Sequence, residues 1–94
     1  MRAIERASAF KRDFKRTKAA PRHRQDVEAL LSYVAGCLAR DQQLSEQYRD
    51  HGLVGNWAGY RECHLKPDLL LIYQKPDATT LRLVRLGTHS DLFC

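Results

Sequence analysis

No run of apolar residues in this chain approaches the ~20 that cross a bilayer, and Met1-Arg2-Ala3-Ile4-Glu5-Arg6 has no apolar signal region behind its charges. An unprocessed, cytoplasmic protein without membrane association is the expectation. Cysteine is sparse and odd in number: Cys37, Cys63 and Cys94 contain no CxxC pair, so neither a disulfide framework nor a thiolate zinc site is suggested. Reduced thiols are expected. Ninety-four residues leave no room for a second core, so residues 1–94 are read as one domain with one site or one interface.

What is plentiful is positive charge, and it is unevenly spread. Residues 1–24 hold nine Lys/Arg against Glu5 and Asp13, a net +7, whereas the remainder holds seven against nine, a net −2. A cluster of this kind attracts polyphosphates by counterion release, and it equally attracts an acidic protein. Charge alone does not separate these readings from a solvated helix face.

Arg2 to Arg6 alternates as an edge strand would, with Ile4 expected to point inward. Ser8 is a candidate N-cap for a first helix that places Phe10 and Phe14 on one face and Lys11, Arg12, Lys15 and Arg16 around the rest. Pro21 suits the first turn of a second helix, in which Val27, Leu30, Leu31, Val34 and Leu38 form an amphipathic stripe. Gly36 weakens that helix by about 1 kcal/mol unless another group packs close to it. Asp41 to Asp50 reads as a polar connector with a short helical turn.

From Leu53 onward the period changes to that of strands. Tyr60 to Leu65 alternates; Lys66-Pro67-Asp68 then recurs as Lys75-Pro76-Asp77, bracketing LLLIYQ before LRLVRL. Pro-Asp fits the two central positions of a type I turn, so an antiparallel meander is predicted. Its middle run, Leu69 to Tyr73, is apolar on both faces and must be covered on both sides. Helices cover one face; the C-terminal tail or a partner is expected over the other. The fold class is therefore α+β, with the helices on one side of the sheet.

Three of the four histidines, His51, His64 and His89, fall in DHGLVGNWAGYRECHLKPDLLLIY and RLGTHSDLFC; His23 lies elsewhere. In the Tyr60 strand, Tyr60, Glu62 and His64 face one way, Asp68 follows in the turn, and Arg85 is expected on the face of Leu81 and Leu83. Histidines, a carboxylate and an arginine without a nucleophilic Ser or Cys motif suit proton transfer around a phosphodiester. RNA brings its own nucleophile, the 2′-hydroxyl, so side chains need only move protons and hold positive charge near phosphorus. Phe93 is placed to stack on a base. Each residue also has a plainer role: Asp68 as a turn residue, Trp57 as a hairpin anchor, Phe93 as packing for the tail. The histidine spacings match no compact metal-ligand motif, and no metal or cofactor is expected.

Asp50-His51, Gly55-Asn56-Trp57-Ala58-Gly59-Tyr60-Arg61, His64, Pro67-Asp68, Leu71-Ile72-Tyr73, Arg85, Gly87-Thr88-His89 and Leu92-Phe93 together resemble the YafQ branch of the RelE/ParE toxin superfamily. The dense agreement covers the second half of the chain; the first half agrees in element order and basic character. The resemblance implies two N-terminal helices on one face of a small twisted antiparallel sheet, in the RelE-like manner. It implies a ribosome-dependent mRNA endonuclease, the toxin of a type II toxin–antitoxin pair, cutting in the ribosomal A site. The family's catalytic positions carry onto His51, His64, Asp68 and His89, and its substrate-binding ones onto Arg85 and Phe93. By analogy His89 is the general acid and His64 or Asp68 the base, while His51 and Arg85 stabilise phosphate charge; an orienting role for Glu62 is left open. Lys11, Arg12, Lys15 and Arg16 then become candidate contacts to ribosomal RNA. The implied partners are a RelB/DinJ-like antitoxin, the ribosome and mRNA. The rival readings are a ParE-like toxin binding DNA gyrase, against which the histidines argue, and a non-enzymatic RNA-binding module.

Overall fold

The computed structural model describes residues 1–93; the Cys94 thiol lies outside the described residues. Strand β1 (Ala3–Arg6) leads into helices α1 (Ser8–Ala19) and α2 (Val27–Ala39), and the short strand β2 (His51–Gly52) follows. Strands β3 (Arg61–Lys66), β4 (Leu69–Asp77) and β5 (Thr80–Gly87) form the meander, and a one-turn helix α3 (His89–Phe93) closes the chain. The sheet order is β1-β5-β4-β3-β2.

The sheet is mixed rather than antiparallel throughout. Strand β1 runs parallel to β5, while the other neighbours are antiparallel. The meander leaves the outer edge of β5 open, and β1, separated from it by the helices and the rest of the sheet, fills that edge in the parallel sense. Beyond Leu83, where β1 ends, α1 crosses the free edge of β5. There the buried Asp13 carboxylate accepts the Leu86 N–H at 3.0 Å, so a ladder donor beyond the reach of β1 is satisfied by a side chain.

The central strand is buried on both faces, as its uninterrupted apolar run requires. Leu69, Leu71 and Tyr73 join Phe10, Leu31, Val34 and Leu38 in the core beneath the helices. Leu70 and Ile72 point the other way, where Leu92 of α3, Trp57 and Phe93 pack over them. The tail and the Leu53–Tyr60 loop thus cover the second face. Phe10 and Phe14 stack at 5.9 Å as core anchors.

Several local expectations are corrected. Ser8 is the first helical residue; Ala7 occupies the cap position without a side-chain bond. Ile4 is 42 % exposed because β1 is an edge strand whose residues all face solvent to some degree. Helix α2 begins at Val27, not near Pro21, after Asp26 in the left-handed conformation (φ 64°). The positive φ of Asp26 breaks the helical path there, and Lys66 Nζ, donating to the carbonyls of His23 and Gln25, ties the preceding residues down as a loop. The second turn is centred on Ala78-Thr79, two residues later than Pro76-Asp77: Asp77 pairs with Thr80, and its carboxylate accepts the Thr79 N–H at 2.8 Å. Pro76, with no N–H to give, falls where the β4–β5 register shifts, between Gln74 and Asp77. A second shift pairs Ile72 with Arg85 and Tyr73 with Leu83, leaving Val84 over, so Arg85 does not share the face of Leu81 and Leu83. The space beside Gly36 is taken by the Arg40 side chain, 3.2 Å from where a Cβ would stand.

Candidate active site

The loop bearing His51 is fixed from below. Asp50 accepts hydrogen bonds from the Tyr73 hydroxyl at 2.5 Å and from Arg61 Nε at 3.3 Å. Burial and the neighbouring carboxylate push the Tyr73 phenol far above its ordinary range, so it stays a donor. Asp50, Arg61 and Tyr73 are therefore scaffold for the site. Gly55 (φ 66°) and Gly59 (φ 92°) supply the left-handed turns around Trp57, whose indole meets Tyr60 edge-on at 5.3 Å and Phe93 at 6.1 Å.

On the sheet face away from α1 and α2, His51 in β2 lies opposite Glu62 in β3. The Arg49 carbonyl accepts from His51 Nδ1 at 2.7 Å, which leaves Nε2 turned to Glu62, 3.7 Å from Oε1. His64, two residues along the same strand face, brings its Nε2 to the same oxygen at 3.4 Å. Glu62 is 6 % exposed. A buried carboxylate facing two imidazoles can accept a hydrogen bond from either ring. Glu62 is thus the centre of the cluster; the signal for it in sequence is its alternation with His64.

His89 begins α3 and completes the arrangement. One groove is lined by Glu62, His64, Asp68 and His89, among others; a second by His51, Trp57, Glu62, His89 and Phe93, among others. Glu62 and His89 line both. The His89 and Phe93 rings lie 5.0 Å apart. Helix α3 is held by a reciprocal cap, in which the Asp91 carboxylate accepts the Thr88 N–H at 3.1 Å and Thr88 Oγ1 accepts the Asp91 N–H at 3.2 Å. The cap keeps the Asp91 carboxyl below its usual range, chiefly through the Thr88 backbone bond. A Cβ on Gly87 would stand 3.1 Å from the Asp91 carboxylate, which accounts for the Gly-Thr-His sequence.

Asp68, in the turn after β3, lines the first groove but is held by the α1–α2 loop: Arg22 Nη2 approaches its Oδ2 at 2.5 Å and His23 Nε2 at 3.7 Å. His23, buried beside the site, is not legible in the sequence as part of it. Arg85 lines neither groove. Its guanidinium is joined to Asp13 through bonds of 2.7 and 3.3 Å. Burial works against the Asp13 charge, but the Arg85 bonds and the Leu86 N–H outweigh it and hold the carboxyl below its ordinary range. Lys11, Arg12, Lys15 and Arg16 are exposed on α1, and Arg16 also reaches Asp13 at 3.0 Å. Among the described residues no three His, Cys, Asp or Glu side chains stand together as metal donors, and no helix is long and apolar enough to cross a membrane. The Cys63 thiol is pushed well above its ordinary range by burial, which removes it as a nucleophile.

A mixed-sheet α+β domain with three helices, and with imidazoles gathered on a buried carboxylate on the sheet face away from α1 and α2, defines a small protein equipped for acid/base work on a groove-bound ligand. Its residues 2–94 match the family described as "Bacterial toxin of type II toxin-antitoxin system, YafQ", and the chain belongs to that family. The mRNA interferase toxin YafQ of Escherichia coli K12 is 36 % identical over 92 residues, covering 98 % of this chain and 96 % of its own. YafQ in the crystal structure of the E. coli DinJ-YafQ complex superposes with a TM-score of 0.84 at 35 % identity, over all of both chains. A metal-bound toxin from Helicobacter pylori superposes with a TM-score of 0.87 at 47 % identity, over 99 % of this chain and all of that one. The RelE-like architecture expected from the motifs is the one observed.

Proposed function

We propose that this chain is an mRNA interferase: an endoribonuclease that cuts mRNA in the A site of the ribosome and so halts translation. The observation that carries the reading is the pair His51 and His64 on Glu62, with His89 across the same grooves, in a member of a toxin family whose E. coli relative bears that name. The reaction needs no group beyond side chains. A base, His64 or Asp68, takes the 2′-hydroxyl proton; O2′ attacks phosphorus; the bond to the 5′-oxygen breaks as His89 protonates it. The products are a 2′,3′-cyclic phosphate and a 5′-hydroxyl. His51, beside Glu62, faces the phosphate, and Phe93 beside His89 stacks on the base; Arg85, which the family resemblance offers for the phosphate, is engaged by Asp13.

The partner that restrains this activity is, in the same reading, an antitoxin of the DinJ type, as in the E. coli complex. Its acidic groups would meet the basic α1 surface. Primer extension on a defined mRNA in a purified translation system tests the function. Cuts within A-site codons are expected that need the ribosome, fall by about 10²- to 10⁴-fold with His89→Ala, and by on the order of 10²-fold with Glu62→Gln. Intact mRNA in a system whose translation nonetheless stops would replace the nuclease reading with a binding toxin.

A further inference from the structure

The groove between His64 and His89 presents two carboxylates, Glu62 and Asp68, to a ligand that is itself an anion. A phosphodiester enters such a groove only against repulsion unless a fixed cation compensates. The sequence offers Arg85 for this purpose, but both of its bonded donors are engaged by Asp13, whose other oxygen contacts include the Leu86 N–H and Arg16. Among the residues lining the groove, Arg22 is the one Lys or Arg.

We propose that Arg22 is a substrate-binding residue, which grips the phosphate of RNA entering this groove while remaining on Asp68. The inference rests on the nuclease reading and deepens it by assigning a phosphate contact from outside the sheet. Arg22 gives Asp68 one nitrogen, Nη2, and a guanidinium carries five N–H donors in a planar fork. Its side chain is 73 % exposed, so the remaining donors are open to a ligand. The loop that delivers it is anchored: Lys66 Nζ holds the Gln25 carbonyl at 2.8 Å and the His23 carbonyl at 3.4 Å. The His23 ring is buried next to Asp68, with both nitrogens lacking a hydrogen-bond partner, and pins the loop beneath the β3–β4 turn. An exposed ion pair contributes little to folding, so stability gives a weak reason for an arginine at this place. A phosphate gives a strong one, since charge held ready where it develops in the transition state acts without reorganisation.

The test compares wild type, Arg22→Ala and Arg22→Lys in the ribosome-programmed cleavage assay, and measures binding of a 2′-O-methyl RNA oligonucleotide, which cannot be cut, to the free protein across salt concentrations. Arg22→Ala is expected to lower kcat/KM by on the order of 10²-fold, with partial recovery in Arg22→Lys. Oligonucleotide affinity falls as well, and the slope of log K against log salt becomes shallower by about 0.7, one single-strand phosphate contact. Removing Arg22 in an Asp68→Asn background separates this role from mere support of Asp68: the loss persists if Arg22 meets the phosphate. Unchanged kcat/KM and salt slope in Arg22→Ala, or a loss that vanishes in the Asp68→Asn background, overturns the proposal. Should wild type cut nothing, the nuclease reading fails by itself, and the oligonucleotide arm still decides for or against Arg22.

Discussion

Buried charge decides most at the scale of single residues. Glu62 and Asp13 are both nearly inaccessible, yet they are placed differently, since Glu62 faces the imidazoles of His51 and His64 whereas Asp13 closes the sheet edge and holds Arg85. Because the folded Asp13 carboxyl lies below its ordinary range while the unfolded one does not, its contribution is complete above about pH 4 and is lost as pH falls through the depressed folded value. Asp13→Asn leaves the Arg85 guanidinium without its anion and the Leu86 donor with a weaker acceptor, at a cost of about 3 kcal/mol near neutral pH. Urea unfolding followed from pH 7 down to pH 2.5 is expected to show the gap between wild type and variant closing as acid is added. A gap that stays constant would mean that Asp13 acts by shape and not by charge.

At the scale of elements, α3 is the part on which the site turns, although it is one turn long. It seats His89 between two grooves, puts Phe93 against Trp57, and lays Leu92 over Leu70 and Ile72. Gly87→Ala brings a Cβ to within 3.1 Å of Asp91 and so pushes the cap apart. Loss of a helix cap costs about 1 kcal/mol, a fall in Tm of about 4–8 °C for a domain of this size. Cleavage is expected to drop about tenfold or more, beyond what unfolding removes, because a small misplacement of a proton donor weighs heavily on rate. Circular dichroism melts set beside initial cleavage rates check this, and a rate loss no larger than the unfolded fraction would demote α3 to a simple lid.

The elements also show what the sequence could disclose. The α2 stripe is legible because burial of one face imposes its period, with Val27, Leu31, Val34 and Leu38 buried and Leu30 half-exposed at its margin, and the double burial of Leu69 to Tyr73 because no polar residue interrupts it. His51, His64, Asp68, His89 and Phe93 stand out by motif pattern, and all of them line the two grooves. Ends are less legible. The loop before α2 is tied down by Lys66, some forty residues away, and the parallel seat of β1 depends on which edge the meander leaves open. The commitment of Arg85 to Asp13 likewise needs contacts across 72 positions, and a bulge that shifts the face of Arg85 has no mark in the alternation of β5. Arg22 and His23 gain their place only because the α1–α2 loop folds back onto the β3–β4 turn.

Over the whole molecule, the N-terminal excess of charge becomes a spatial one. Lys11, Arg12 and Lys15 sit exposed on α1, which packs by its other face on the sheet through Phe10 and Asp13. Two polyanionic classes of partner fit the surface, ribosomal RNA and an acidic antitoxin, and they differ in how salt acts on them. Contacts with RNA phosphates release condensed counterions, so affinity falls linearly in log salt with a slope set by their number. Substituting all three residues by Ala removes up to three such contacts, and the slope for ribosome binding is expected to become shallower by about 2, while Tm changes little because the side chains are solvated. Cleavage of mRNA on the ribosome should weaken most at high salt and least at low salt. Sedimentation with ribosomes across a salt series reads the slope directly. An unchanged slope, with binding to a DinJ-type antitoxin weakened instead, would assign α1 to the antitoxin and leave ribosome docking to another surface.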